Sequence, residues 1–311
     1  MAEKSTAIPN LPSLNALAPD QVTLAAFLLV TLFAGGASVA IRFTYAELPP
    51  FFSGAARFIC GGLFFLIWAL IARIPLPRGK AFLGAILFGA LGMGLAFTLI
   101  YWGLVKTPAS LYQTLLALVP LLTLFFAFFH RLELFRPRGL LGALLTVAGI
   151  AVAVGGSQVA GLSLPRILAI IGGAAGIAES QIIAKLMPRV HPVATNAVAM
   201  PVGALILGLA SFLAGEKPVM PTTAATWIAF AYIVVFVTII AFQLNLFVLG
   251  RWPASRASYS FVLIPLVTIL LASWLAKEHI TWGFLLGGTL VVFGVWVGAL
   301  LPDASAVRRS P

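Results

Sequence analysis

Ten apolar runs of about bilayer-crossing length follow one another between residues 22 and 301, and few folds tolerate that. Roughly 17 to 25 residues of helix are needed to cross about 30 Å of hydrocarbon. The runs fall at 22–44, 51–72, 81–103, 108–129, 137–155, 166–187, 192–213, 224–249, 254–275 and 282–301. A barrel strand alternates apolar and polar residues, whereas segments such as "LLGALLTVAGIAVAV" are apolar on every side. Helices are therefore the spanning structure. The composition leaves no room for a soluble catalytic domain, with 61% hydrophobic and 9% charged residues, where a soluble domain has about a quarter charged. The expected fold is an all-α integral membrane protein with ten transmembrane helices.

Cys60 is the sole cysteine and lies in the second span, which excludes an intrachain disulfide and a cysteine metal cluster. The net charge of +11 is distributed by loop. If the amino terminus is inside, thirteen of the nineteen Lys and Arg residues fall on inner segments, among them Arg73, Arg78, Arg131, Arg136, Arg138, Lys185 and Arg251. The positive-inside rule then places both termini in the cytoplasm, as tails over 1–21 and 302–311. Read this way, the basic balance encodes topology, and no nucleic-acid partner is expected.

The stretch "PASLYQTLLALVPLLTLFFAFFHRLE" from Pro108 returns as "PASRASYSFVLIPLVTILLASWLAKE" from Pro253, at a constant offset of 145 without insertion. The offset pairs Pro120 with Pro265, Glu133 with Glu278, Gly142 with Gly287 and Gly149 with Gly294. Each copy holds five spans, an odd number, so the second is inverted relative to the first. Inverted repeats are the signature of carriers whose halves rock around a site near the midplane. Pro120 and Pro265 each remove one backbone hydrogen bond within a span, favouring a kink that serves as a hinge or shapes packing. Glu133 and Glu278 fall where helices meet water, as structural charges at a solvated end or a helix cap.

The proline-alanine-serine start, the proline within the span and the closing glutamate, present twice, resemble the EamA repeat of the drug/metabolite transporter superfamily. "ELPPFFSGAARFICGGLFF", with Arg57 and Phe58, is similar to that family's second helix. The resemblance implies two EamA-like five-helix repeats, over 22–155 and 156–301. It also implies an inner-membrane exporter, with the YddG-type aromatic and neutral amino-acid exporters as the functional analogy. "HRLE" and "AKE" depart from the commoner Leu-Gly-Glu ending.

Polar residues at membrane depth usually face a cavity or a partner. Glu179, with Ser180 beside it, lies near the middle of the sixth span. It is a ligand for a substrate amine, a proton carrier, a packing partner of Arg57, or a protonated structural acid. Arg57 is expected to be a structural charge, ion-paired inside the second span. Ser38, Thr98, Tyr101, Trp102, Tyr112, Gln113, Gln243, Asn245 and Tyr259 complete the candidate substrate-binding set, Thr98 and Gln243 differing by the same 145. Tyrosine and tryptophan near helix ends also serve as interfacial anchors.

A polar lining with aromatic walls and few charges fits a neutral, apolar or aromatic amino acid moved by alternating access. The alternative is a carrier of the same fold for another metabolite or a cationic drug, with or without proton coupling. No nucleotide-binding loop, metal spacing or catalytic triad is present, so neither an enzyme nor a cofactor is expected. The expected partners are the small-molecule cargo and lipid, and the oligomeric state is left open, a monomer being compatible.

Overall fold

The computed structural model describes residues 20–105, 112, 115–133, 137–154, 163–188, 190–276 and 282–300. Among these residues, ten helical spans follow one another: α1 Gln21–Tyr45, α2 Pro50–Ile71, α3 Lys80–Leu104, α4 Val119–Phe129 and α5 Pro137–Val154 form the first repeat. In the second repeat are α6 Leu164–Leu186, α7 Pro192–Leu213 and α8 Ala224–Arg251. It is completed by α9, Ala254–Ala257 then Ser260–Ala276, and α10, Trp282–Val295 continued by Trp296–Leu300. Five of the ten, α2, α3, α6, α7 and α8, are long and apolar enough to cross a membrane by themselves.

The packing obeys a twofold rule in which helix n of one repeat answers to helix n + 5. Helix α2 packs on α7 and α5 on α10, while the pair α3·α6 is matched by α8·α1 and α3·α7 by α8·α2. The pair α4·α6 is matched by α9·α1 in the same way. Small residues make the closest approaches. A Cβ added at Gly142 in α5 would lie 2.7 Å from the Gly294 carbonyl oxygen of α10, and one at Gly149 would lie 2.7 Å from that of Gly287. The register pairs Gly142 with Gly287, yet contact pairs Gly142 with Gly294. That crossing is what a twofold axis between α5 and α10 produces.

Helices α2, α4 and α7 stop by one device. The chain enters the left-handed region at Arg73 (φ 54°), Arg131 (φ 57°) and Gly215 (φ 69°). The next amide then donates back to a carbonyl five residues earlier: Ile74 to Ala69, Leu132 to Ala127 and Glu216 to Ser211. Two of these turns aim an acidic side chain across the repeats, Glu133 after α4 and Glu216 after α7. The Glu216 carboxylate accepts the Phe51 and Phe52 amides at the start of α2, at 3.2 and 2.8 Å. Reciprocally, Glu47 in the α1–α2 connection accepts from the amides and hydroxyls of Thr222 and Thr223, just before α8. These bonds bring the α1–α2 and α7–α8 connections together at one end of the bundle.

Two departures from the expected spans have backbone causes. The fourth run is not one continuous helix: a turn at Ala117 and Leu118 precedes α4, and Pro120 sits in its first turn. Proline has no amide to give the Leu116 carbonyl and crowds it, which explains a break on the N-terminal side. In α9 the turn is at Ser258 and Tyr259, and Pro265 lies inside the following helix. The second departure is wide, i→i+5 turns at three places, Ala90–Leu95 in α3, Ile233–Ala241 in α8 and Trp296–Leu300 at the end of α10. Subtracting 145 from 233–241 gives 88–96, so the wide turns of α3 and α8 coincide under the repeat.

Candidate substrate site

Helix α2 buries Phe51, Gly54, Phe58, Gly61 and Phe65 along one stripe, and Arg57 falls on the same buried side. Gly54 makes room for α3, since a Cβ there would stand 2.6 Å from the Tyr101 ring. The Arg57 guanidinium is thereby enclosed by rings, 4.6 Å from the centroid of Phe58, 4.5 Å from Phe97 and 5.9 Å from Tyr101. Tyr45, the last residue of α1, stands edge-on to Tyr101 at 6.2 Å, and Phe242 of α8 stands edge-on to Phe58 at 5.8 Å. Tyr112 is within electrostatic reach of Tyr45, Tyr101 and Arg57.

Arg57 is 2% exposed, and among the described residues its Nε and Nη2 have no hydrogen-bond partner; nor does the buried Tyr45 hydroxyl. Ring contacts of this kind stabilise a desolvated cation by about 2 kcal/mol or more each, against a cost of several kcal/mol for removing an ion from water. Among the described residues no carboxylate pairs with the guanidinium, Glu179 included, contrary to the pairing expected from sequence. Arg57 is seven residues from the start of α2 and Glu179 fifteen from the start of α6. At about 1.5 Å per residue the two side chains sit roughly 12 Å apart in depth.

Glu179 belongs to a second polar zone, toward the opposite end. His130, at the end of α4, contacts the Glu179 carboxylate with Nε2 at 2.9 Å from Oε1, while Oε2 is buried without a partner. Asn196 of α7 donates Nδ2–H to Oε1 of Gln243 in α8 at 3.2 Å, and its Oδ1 is unpartnered. Gln181, on α6, is 2% exposed, and neither amide atom has a partner.

The remaining candidates divide by what their polar atoms touch. Thr98 and Ser180 donate to carbonyls of their own helices, Gly94 and Ile177, and Ser180 packs where Gly92 leaves space. Trp102 is 43% exposed, lies 5.1 Å under the Arg166 guanidinium, and its carbonyl accepts Arg166 Nη1–H at 2.8 Å. Tyr259 is 2% exposed and donates its hydroxyl to the Gly139 carbonyl at 2.9 Å, tying α9 to α5. Asn245 is half-buried on α8. Gln113, Glu278 and the side chain of Ser38 lie outside the described residues. Tyr101 and Tyr112 thus gather around Arg57, and Gln243 meets Asn196.

Sequence reasoning missed Tyr45, Asn196 and the partner of Glu179. Asn196 did carry a signal: it is an amide in a span, four residues past the helix-opening Pro192.

The model of the EamA-like transporter family matches residues 21–155 and again 164–299. The chain belongs to the EamA-like transporter family. It is a multi-pass membrane transporter built from two EamA repeats. Among its relatives, the "Uncharacterized inner membrane transporter YedA" of Escherichia coli (strain K12) is 28% identical over 268 residues, covering 84% of this chain and 85% of the relative. The "Uncharacterized transporter YvbV" of Bacillus subtilis (strain 168) is 28% identical over 258 residues, 80% and 82% of the two chains. A solved crystal structure superposes with a TM-score of 0.76 at 23% identity, covering 89% of this chain and 97% of that one, which shows a shared fold.

Proposed function

We propose that this EamA-family transporter exports neutral amino acids with apolar or aromatic side chains across an inner membrane, by alternating access, with both termini in the cytoplasm. The observation that carries the reading is the aromatic cluster of Tyr45, Phe58, Phe97, Tyr101 and Phe242 around one buried cation. Rings of this kind receive an apolar side chain by burial and stacking, and a single positive group suits a single carboxylate. A nucleotide sugar, with several negative charges, calls for several cations. A cationic drug calls for a free acid, and Glu179 is held by His130. The cargo and surrounding lipid are the partners this function requires.

Alternating access draws support from the twofold packing and from the paired wide turns in α3 and α8. Turns of this class occur frequently at functional sites. Purified protein in liposomes should take up labelled phenylalanine or methionine and leave aspartate, sugars and nucleosides untouched. Uptake confined to sugars or nucleosides would refute the amino-acid assignment.

A further inference from the structure

The Nε–H and one Nη2–H of a guanidinium point in the same direction, spaced to meet the two oxygens of one carboxylate side-on. In Arg57 these are the two nitrogens without a partner. Phe97 and Phe58 flank the guanidinium at 4.5 and 4.6 Å with their centroids 5.5 Å apart, so the two rings crowd one side and leave the Nε–Nη2 edge for a ligand. A flat, singly charged carboxylate matches such an edge. The Tyr45 hydroxyl, buried against Tyr101, is a further donor in the same cluster that lacks an acceptor.

Among the described residues, the cluster has no free carboxylate to accept from an ammonium group. Glu216, the carboxylate within electrostatic reach of Tyr45, is held by the Phe51 and Phe52 amides. Glu179 is held by His130 toward the other end. The wide turn over Ala90–Leu95 directly precedes Phe97 and Tyr101, so a shift of that turn moves two walls of the enclosure together.

We propose that the Arg57 edge, with Tyr45 beside it, is the carboxylate anchor of the substrate. The protein then recognises monocarboxylates with an apolar or aromatic body as a class, whether or not they carry an α-amino group. This rests on the reading above only in taking the aromatic cluster as the place where cargo sits.

Binding of three probes to the purified protein in nanodiscs tests the anchor: L-phenylalanine, 3-phenylpropionate without the amine, and 2-phenylethylamine without the carboxylate. The expected result is that phenylpropionate binds within about tenfold of phenylalanine and phenylethylamine about 100-fold more weakly, the scale of losing charge-assisted hydrogen bonds. Arg57→Lys keeps the charge but loses the side-on edge, and should weaken phenylpropionate by about 10- to 100-fold. Tyr45→Phe should weaken it several-fold without changing the melting temperature of the unliganded protein. Should Arg57→Lys fail to fold, the ranking on the unaltered protein decides. Phenylethylamine binding as well as phenylpropionate overturns the anchor. Phenylalanine transport with no phenylpropionate binding overturns the anchor and leaves the amino-acid reading standing. Phenylpropionate binding that Arg57→Lys abolishes, with no amino acid transported, supports the anchor and removes that reading.

Discussion

Glu133 and Ser255 join the two repeats: the carboxylate accepts the Ser255 amide at 3.2 Å and also the Ser255 hydroxyl. The glutamate that closes one copy of the repeated motif caps the helix that the proline-alanine-serine of the other copy opens. Loss of a helix cap costs about 0.5–2 kcal/mol. Glu133→Gln and Ser255→Ala should therefore each lower stability by about 1 kcal/mol, and the double variant should lose little more than either alone. Thermal unfolding of the four proteins in one detergent measures the coupling. Additive losses would show that the two residues act independently.

Glu47 gives a pH signature at the end of the bundle where Glu216 caps α2. Hydrogen bonds from Thr222 and Thr223 pull its carboxyl from an ordinary 4.5 down to about 2. A carboxylate lowered on folding stabilises fully above its unfolded pKa, and that stability fades as pH falls through the folded value. The unaltered protein should exceed Glu47→Gln in stability above about pH 4.5, with the gap closing toward pH 2. A gap that is constant from pH 6 to pH 2 would contradict this origin.

The α5–α10 seam predicts a contrast between two glycines. Gly142→Ala inserts a methyl 2.7 Å from the Gly294 carbonyl oxygen, with backbone as the neighbour and nowhere to yield. A loss of about 1–3 kcal/mol is expected. Gly208→Ala in α7 meets nothing within 4 Å, so the better helix propensity of alanine should stabilise by up to about 1 kcal/mol. Equal melting temperatures for the two variants would count against the seam.

The spans were legible in the sequence because hydrocarbon fixes both the length and the polarity of a helix, and the repeat because Gly142, Gly149, Gly287 and Gly294 hold one register. Azimuth was not legible. Tyr101 and Trp102 are neighbours at nearly equal depth, yet about 100° of helical rotation leaves one 3% exposed among the rings and the other 43% exposed beneath Arg166. Nor does a sequence show which charges share a depth after packing, so Glu179 could be paired on paper with Arg57 when its contact is His130. The wide turns in α3 and α8 have no composition signature: "ALGMGL" and "IVVFVTIIA" are ordinary apolar text.

The contact between His130 and Glu179 bears on coupling. His130 gives Glu179 a partner on α4, and downhill flux without a proton gradient is expected. Glu179→Gln should weaken binding or lower stability, with a coupling to His130→Gln of about 1 kcal/mol for a partly exposed pair. Uphill accumulation in liposomes under an imposed pH gradient, abolished by Glu179→Gln, would instead make Glu179 the proton carrier.

Topology is accessible through the single cysteine. In a Cys60→Ser background, Lys217→Cys and Arg78→Cys place thiols at two exposed positions in different loops. An impermeant maleimide applied to intact cells should label the first, and reach the second only after the membrane is opened. Labelling of both from the same side would contradict the orientation.

The central claim is alternating access by a carrier of neutral amino acids, and counterflow reads it most directly. Liposomes preloaded with unlabelled phenylalanine and diluted into trace labelled phenylalanine should accumulate label transiently above equilibrium, because each outward passage returns a site that can carry label inward. The overshoot should saturate with substrate and disappear when the liposomes are loaded with aspartate. Flux that rises linearly with concentration, with no overshoot at any loading, would contradict the account.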